Sequence, residues 1–299
     1  MDTAAPSIPG IPNIPRISPD ALAARMGSAN SPLLLDVRRE AKFAASAHLL
    51  SGALRCAPEH VAAFARAQPP GEVVVYCVYG HNVSHDAAAE LCAAGWSAAM
   101  LAGGFESGQE GVDTEQDIAR WRAQRLPTVL KRPDWGVTGE QASRWITRER
   151  PKIDRIACAW LIRRCIDPRA EFFYVPTPRV SGEAHRLNAV GYGAPGAPVS
   201  YEGELCSFDA LLRTFELRDA ALDMLATIVR GADTDRLELA PQSAGLLDCV
   251  LGLSRLHAGD DQALLRAGLL LYDALYAGCR SARDKPHKAE SKTLPGAAQ

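Results

Sequence analysis

The sequence predicts an α/β fold: a small parallel sheet in the first half, followed by a mainly helical α+β second half. Three observations predict it. Short apolar runs at 33–37, 73–77 and 98–101 alternate with helical stretches at the spacing of strand–helix–strand units. Beyond a Pro/Gly-rich stretch the apolar residues recur with helical periodicity instead. A chain of 299 residues, 47% hydrophobic and 23% charged, has the length and composition of two ordinary globular domains.

Residues 1–17 form a proline-rich stretch that predicts a flexible arm. Ser18-Pro19 supplies an N-cap and a proline at the first helical position, and so predicts a short helix. The run at 33–37 reads as a buried parallel strand. Residues 58–67 follow as a helix with Val61, Phe64 and Ala65 on one face. A second buried strand at 73–77 runs directly into Gly80 and a helix over 83–94, and a third at 98–101 is closed by Gly103-Gly104. A charged helical stretch at 113–125 completes a first domain over 18–125. Pro127, Pro133, Gly136 and Gly139 mark 126–139 as a linker. The second domain, 140–280, carries helical periodicity at 207–215, 219–231, 242–256 and 260–279, with a short strand at 172–175. The polar, small-residue stretch 281–299 predicts a disordered tail.

A formal net charge of −2 excludes bulk attraction to nucleic acid or to an anionic membrane. No apolar stretch reaches the ~18 residues of a membrane span, and the run at 269–277 is broken by Asp273. The first residues lack the basic start and apolar core of a secretory signal. Eight cysteines in this length are too sparse for a disulfide scaffold, and none are spaced Cys-x-x-Cys. Reduced thiols in the cytoplasm, and no cofactor, are the expectation.

One cysteine stands where chemistry is expected. Cys77 ends a buried strand and opens Val78-Tyr79-Gly80-His81-Asn82-Val83-Ser84, a glycine-containing loop that leads into a helix. In open α/β sheets the reactive crevice lies at the carboxyl ends of the strands. Loop amides and a helix N-terminus there favour a thiolate and bind anions. The alternative is a buried cysteine of no chemical consequence.

Asp36-Val37-Arg38, Phe43, His48-Leu49, Gly52-Ala53, the Cys77 loop, Gly95-Trp96 and Leu101-Ala102-Gly103-Gly104 follow one another in the order of rhodanese (sulfurtransferase) domains. Residues 18–120 resemble that family. The resemblance implies that Cys77 accepts sulfane sulfur as a persulfide and hands it to a thiol acceptor, with the amides of Val78 to Ser84 as the anion cradle. It makes Asp36, Arg38 and His48 supporting positions. Two departures stand out. The loop contains no Arg or Lys, so that His81 is its one side chain able to become cationic, and it is one residue longer than the common form.

The stretch from Arg144 to Arg169 holds eight Lys/Arg against three Asp/Glu. Pro151 suits a helix start and Pro168 its stop. Ile153, Ile156, Ala157, Trp160 and Leu161 form an apolar stripe. At about 100° per residue, Asp154, Cys158 and Cys165 share one flank, Lys152, Arg155 and Arg163 lie on the other side, and Arg164 falls inside the stripe, where it needs a carboxylate or an anion. A solvated basic face is the plainer reading of these charges. A metal at Asp154, Cys158 and Cys165 is a weak alternative without a local histidine, and the metal content is left unknown.

This stretch, with Glu204 to Asp209, Ile228 to Asp233 and Leu271 to Tyr276, resembles chromate-resistance domains of the ChrB type over residues 143–280. Lys152 and Tyr201 stand where members of that family carry histidine. The resemblance implies binding or sensing of chromate or a similar oxyanion. Guanidinium suits such a dianion, because it offers paired donors and stays charged. Arg148, Arg150, Arg155, Arg163 and Arg164 are the candidate binders, and Asp154, Cys158, Cys206, Asp209 and Asp233 the candidate orienting or redox-linked residues. The expectation is a chromate-resistance protein whose partners are a small sulfur donor or thiol acceptor and an oxyanion. DNA is the less favoured partner, and no membrane is expected. A chromate-responsive transcriptional regulator and a non-catalytic docking scaffold are the alternatives.

Overall fold

The computed structural model describes residues 14–109, 111–123 and 126–284. The predicted 1–17 arm and 281–299 tail fall largely outside these residues. Of the described ends, Arg16–Ile17 is a strand and the last helix runs through Asp284.

The first half contains β1 (Arg16–Ile17), α1 (Pro19–Ala23), β2 (Leu33–Asp36), α2 (Glu40–Ala45), β3 (His48–Leu50), β4 (Ala53–Arg55), α3 (Val61–Ala67), β5 (Glu72–Tyr76), α4 (Asn82–Ala93), β6 (Ser97–Leu101) and α5 (Glu115–Ala123). Five strands form one sheet in the order β1-β6-β5-β2-β4, every neighbouring pair parallel. The apolar runs are strands because both faces of this sheet are covered, so alternate residues enter different cores. Leu35, Val73 and Val75 pack with Ala87, Ala88 and Leu91 of α4 on one face. Leu34, Val74 and Tyr76 pack with Leu22 and Met26 on the other.

The second half contains β7 (Thr128–Leu130), β8 (Arg144–Arg148), α6 (Ile153–Leu161), a π turn at Ile162–Ile166, β9 (Glu171–Val175), α7 (Val180–Leu187), β10 (Val190–Gly191), α8 (Ser207–Thr214), α9 (Ala220–Asp233), α10 (Ser243–Leu256) and α11 (Asp261–Asp284). The four predicted helices are present as α8 to α11. A parallel sheet β10-β8-β9 accompanies them, and its central strand, β8, occupies residues that carried no strand expectation. Every residue of α6 is buried, including Asp154 and Arg155. The solvated basic face expected there therefore does not exist along the helix. α6 is the central rod of the larger core, packed by α8, α9 and α11.

Residues 126–139, expected as a linker, are ordered in part: β7 pairs antiparallel with β3 of the first half, His48 opposite Leu130. Phe43, Leu49, Val129 and Val137 join the larger core of the second half. The Gly52 amide and the Ser51 hydroxyl both donate to the carbonyl of Cys165, at 2.9 and 2.7 Å, within the π turn. Arg280 donates from both terminal nitrogens to the carbonyls of Met26 and Ala23. No helix among the described residues is long and apolar enough to cross a membrane.

Candidate functional site

Cys77 is the first residue past β5, and is 6% exposed. Its Sγ lies 3.3 Å from Ser84 Oγ, which donates to the His81 carbonyl at 3.0 Å. α4 begins at Asn82 with His81 as N-cap, so Val78 to His81 are the non-helical loop, and Asn82, Val83 and Ser84 form the first helical turn. Among the described residues, the amides of Val78, Tyr79, Gly80 and His81 donate to no backbone or side-chain acceptor.

The loop is braced by the turn that follows β6. Phe105 N donates to the Cys77 carbonyl at 2.9 Å, and Glu106 N to the Val78 carbonyl at 2.8 Å. Two glycines permit this approach. Gly80 has φ +72°, and a Cβ there would lie 2.6 Å from the Leu101 carbonyl oxygen. Gly104 has φ +61°, and its Cβ would lie 2.6 Å from the Cys77 carbonyl oxygen. The sequence showed Gly103-Gly104 as a strand stop; their use as a seat for the cysteine loop was not legible. Nor was Asp113, whose Oδ2 is 3.3 Å from His81 Nε2 and accepts from Gln109 N at 2.7 Å.

Asp36 ends β2, Arg38 follows it and His48 opens β3, so none of the three lies in the cysteine loop. Asp36 and Arg38, both fully buried, are paired at 2.6 Å, and Tyr76 OH donates to Asp36 Oδ2. Arg38 also donates to the His48 carbonyl, while the His48 ring pairs with Glu216 of the second half at 3.0 Å. A cleft of about 630 Å³ opens at this seam between the halves, lined in part by His48, Glu216, Arg218, Asp219 and Arg280.

The second-half candidates separate into three groups. Asp154, Cys158, Cys206, Asp209 and Asp233 converge where α6, α8 and α9 meet. Asp154 Oδ1 accepts from Phe208 N at 2.9 Å and from Cys158 Sγ at 3.7 Å, and Asp154 N donates to Asp233 Oδ1 at 3.3 Å. Cys206 caps α8 and donates from N and Sγ to Asp209 Oδ2, and Arg230 holds the same carboxylate. Burial, and next the charge of Asp233, push the Asp154 carboxyl up to about 6. Burial followed by the Asp154 charge raises the Cys158 thiol far above its ordinary value, and the Cys206 thiol likewise. Both sulfurs are therefore held as thiols, which opposes a nucleophilic or redox-linked role. Tyr201, absent from the sequence-based set, donates its hydroxyl to Asp233 Oδ2.

Arg148 and Arg155 form the second group. Arg155 is 8% exposed and donates from Nη1 to the carbonyls of Arg148 and Glu149. Neither arginine has a carboxylate partner among the described residues, and Arg148 Nε is buried without a hydrogen-bond partner. Burial, then the positive charge of Arg148, lower the pKa of Arg155.

The third group is spoken for or misplaced. Arg164 needs its partner inside the apolar stripe and has one: Asp273 accepts from Nε and Nη2 at 2.9 and 2.8 Å, so the carboxylate occupies the place of an oxyanion. Arg163 donates to the Ala170 carbonyl and lies over the Phe172 ring. Arg150 is solvent-exposed and pairs with Glu149. Cys165 does not share a site with Asp154 and Cys158, because the π turn that begins after Leu161 takes it out of α-helical register. It lies instead at the Ser51–Gly52 seam, its thiol pushed up to about 12 chiefly by burial. Among the described residues no group of three His, Cys, Asp or Glu is arranged to hold a metal ion.

Comparison with known proteins gives two family matches. Residues 18–110 match the model of the rhodanese-like domain, and residues 145–279 match ChrB, C-terminal domain. Protein ChrB of Cupriavidus metallidurans is 34% identical over 149 residues, covering 50% of this chain and 44% of that protein. The match thus spans less than half the length of this relative. Among solved structures, a full-length protein from Lactobacillus plantarum is 24% identical over 38% of this chain and 87% of that one, with TM-score 0.31. A rhodanese homologue from Thermus thermophilus is 27% identical over 31% of this chain and 98% of its own, with TM-score 0.26. The chain therefore carries a rhodanese-like domain at residues 18–110 followed by a ChrB C-terminal domain at residues 145–279.

Proposed function

We propose that this is a cytoplasmic chromate-resistance protein in which Cys77 relays sulfane sulfur and the second domain binds an oxyanion such as chromate. The observation that carries the first part is the loop after β5, where Cys77 stands beside amides with no internal acceptor. Such amides bind an anion with little reorganisation. In the proposed reaction the Cys77 thiolate attacks the outer sulfur of a donor such as thiosulfate. The sulfur–sulfur bond breaks, its electron pair leaves on sulfite, and a Cys77 persulfide forms. An acceptor thiolate then attacks the terminal sulfur, and the electron pair returns to Cys77.

The second part is supported by Arg148 and Arg155, two neighbouring guanidinium groups with no ion-paired carboxylate among the described residues, Asp233 and Asp154 acting on Arg155 only through space. Two like charges side by side, one of them buried and neither ion-paired, favour a bridging counter-charge, and a dianion supplies it. This narrows the five candidate arginines to two. That all eight cysteines are free thiols fits a reducing compartment.

Intact-mass analysis after thiosulfate treatment tests the first part. The expected result is one added sulfur on the wild type and none on Cys77→Ser, together with loss of chromate resistance in cells carrying the variant. An unmodified wild type, or full resistance in Cys77→Ser, would refute it. Calorimetric titration with chromate and sulfate tests the second: Arg155→Gln and Arg148→Gln are expected to weaken binding at least tenfold, and Arg164→Gln is not. Equal binding by all three variants and the wild type would remove the two arginines from the proposal.

A further inference from the structure

The cysteine loop has no arginine or lysine, yet the donors that sulfur transfer uses are anionic. What the structure places at the end of the loop is an imidazole held by a carboxylate from another segment. His81 Nε2 lies 3.3 Å from Asp113 Oδ2, and the two side chains are 21% and 15% exposed. Asp113 lies just past the residues that match the rhodanese-like model. Its carboxylate is fixed by the Gln109 amide at 2.7 Å, within a turn that leads into α5. That turn continues the segment whose Phe105 and Glu106 amides already hold the carbonyls of Cys77 and Val78. Burial raises the Asp113 carboxyl, but the bonds from Gln109 and His81 outweigh it, and the net shift is downward. Asp113 is therefore ionised at neutral pH.

A carboxylate on Nε2 fixes the ring's tautomer and orientation and leaves Nδ1 as the nitrogen free for another partner. Neutral, the ring then offers Nδ1 as an acceptor; protonated, it offers a donor. Resting on the sulfur-transfer reading, we propose that His81 is the group that recognises the anionic end of the sulfur donor, with Asp113 as its positioning residue. Anion recognition at this loop is then stronger at acidic pH, where an arginine would make it independent of pH. The other titratable or charged groups on the elements packed there are Cys77 and Tyr79 in the loop, His85, Asp86, Glu90 and Cys92 on α4, Glu106 after β6, and Glu115, Asp117, Arg120 and Arg122 on α5.

The test compares alkylation of Cys77 by iodoacetate, an anion, with that by iodoacetamide, a neutral molecule of nearly the same size, read at the Cys77 peptide by mass spectrometry. Their rate ratio cancels the thiolate fraction of Cys77 itself. In the wild type the ratio is expected to fall at least threefold between pH 5.5 and pH 8. In His81→Gln it stays at the wild-type pH 8 value throughout, and in His81→Arg it stays high throughout. Asp113→Asn lowers the ratio at pH 5.5 while leaving the iodoacetamide rate within about twofold, which also shows that the loop is folded. A wild-type ratio flat with pH, or one unchanged in His81→Gln, overturns the inference. If the ratio behaves as expected but thiosulfate adds no sulfur to Cys77, the recognition element stands and the sulfur-transfer reading falls. If sulfur is added and the ratio is unaffected by His81, the reverse holds.

Discussion

Asp154 illustrates what burial does to a single side chain. It enters the core on α6 with one amide, one thiol and a neighbouring carboxylate for company, and its carboxyl titrates near 6. In the unfolded chain an aspartate titrates at about 3.9. Between these values the unfolded state has released its proton and the folded state has not, so the protein loses stability as pH rises through the window and levels off above it. The loss is about 3 kcal/mol for a shift of this size. Between pH 4.5 and pH 6.5, an interval that spans only part of this window, urea unfolding is expected to show the wild type losing about 2 kcal/mol relative to Asp154→Asn. An identical pH dependence in both would contradict the assignment. Such a residue was legible only in part. Helical spacing placed Asp154 and Cys158 on one flank, but the approach of Phe208, Asp233 and Tyr201 depends on chain segments 40 to 80 residues away, and no local pattern encodes it.

At the scale of elements, the strands at 33–36, 72–76 and 97–101 and the helices α8 to α11 were readable because each buries a regular set of apolar positions. β8 was not, because Arg144 and Arg148 bracket it and drew attention as charge rather than as strand ends. The π turn escaped for another reason. Residues 162–166 continue the composition of α6, and only the hydrogen-bond pattern distinguishes them. The loop at Cys77 was legible as a site, but its support was not. That support gives a prediction at this scale. Gly104→Ala would put a Cβ against the Cys77 carbonyl and force a positive φ on alanine, at a cost of about 1–3 kcal/mol. The expected outcome is a drop in melting temperature together with a change of at least fivefold in the Cys77 alkylation rate. Gly136→Ala, also at positive φ but facing open space, is expected to leave that rate unchanged.

Across the whole molecule, the two halves share a core and a strand pair, where the sequence suggested two bodies joined by a linker. Phe43 and Leu49 of the first half belong to the cluster built on α6. Interfaces of that kind couple unfolding. Single-tryptophan variants retaining Trp96, Trp145 or Trp160 are therefore expected to report one urea midpoint. Midpoints separated by more than about 1 M would show the seam to be weak. Composition and periodicity indicated two families of elements, but not that 128–130 would be lent back to the first half.

The pairing of β3 with β7 bears on any attempt to study either half separately. A cut placed before Thr128 leaves the His48–Leu50 strand with the hydrogen-bonding edge that faced β7 open. It also leaves Leu49, 2% exposed in the whole chain, facing water. An open, apolar edge is a template for another chain to add a strand. Fragments ending near residue 125 should therefore be prone to aggregation, and those extended through Leu130 should be better behaved.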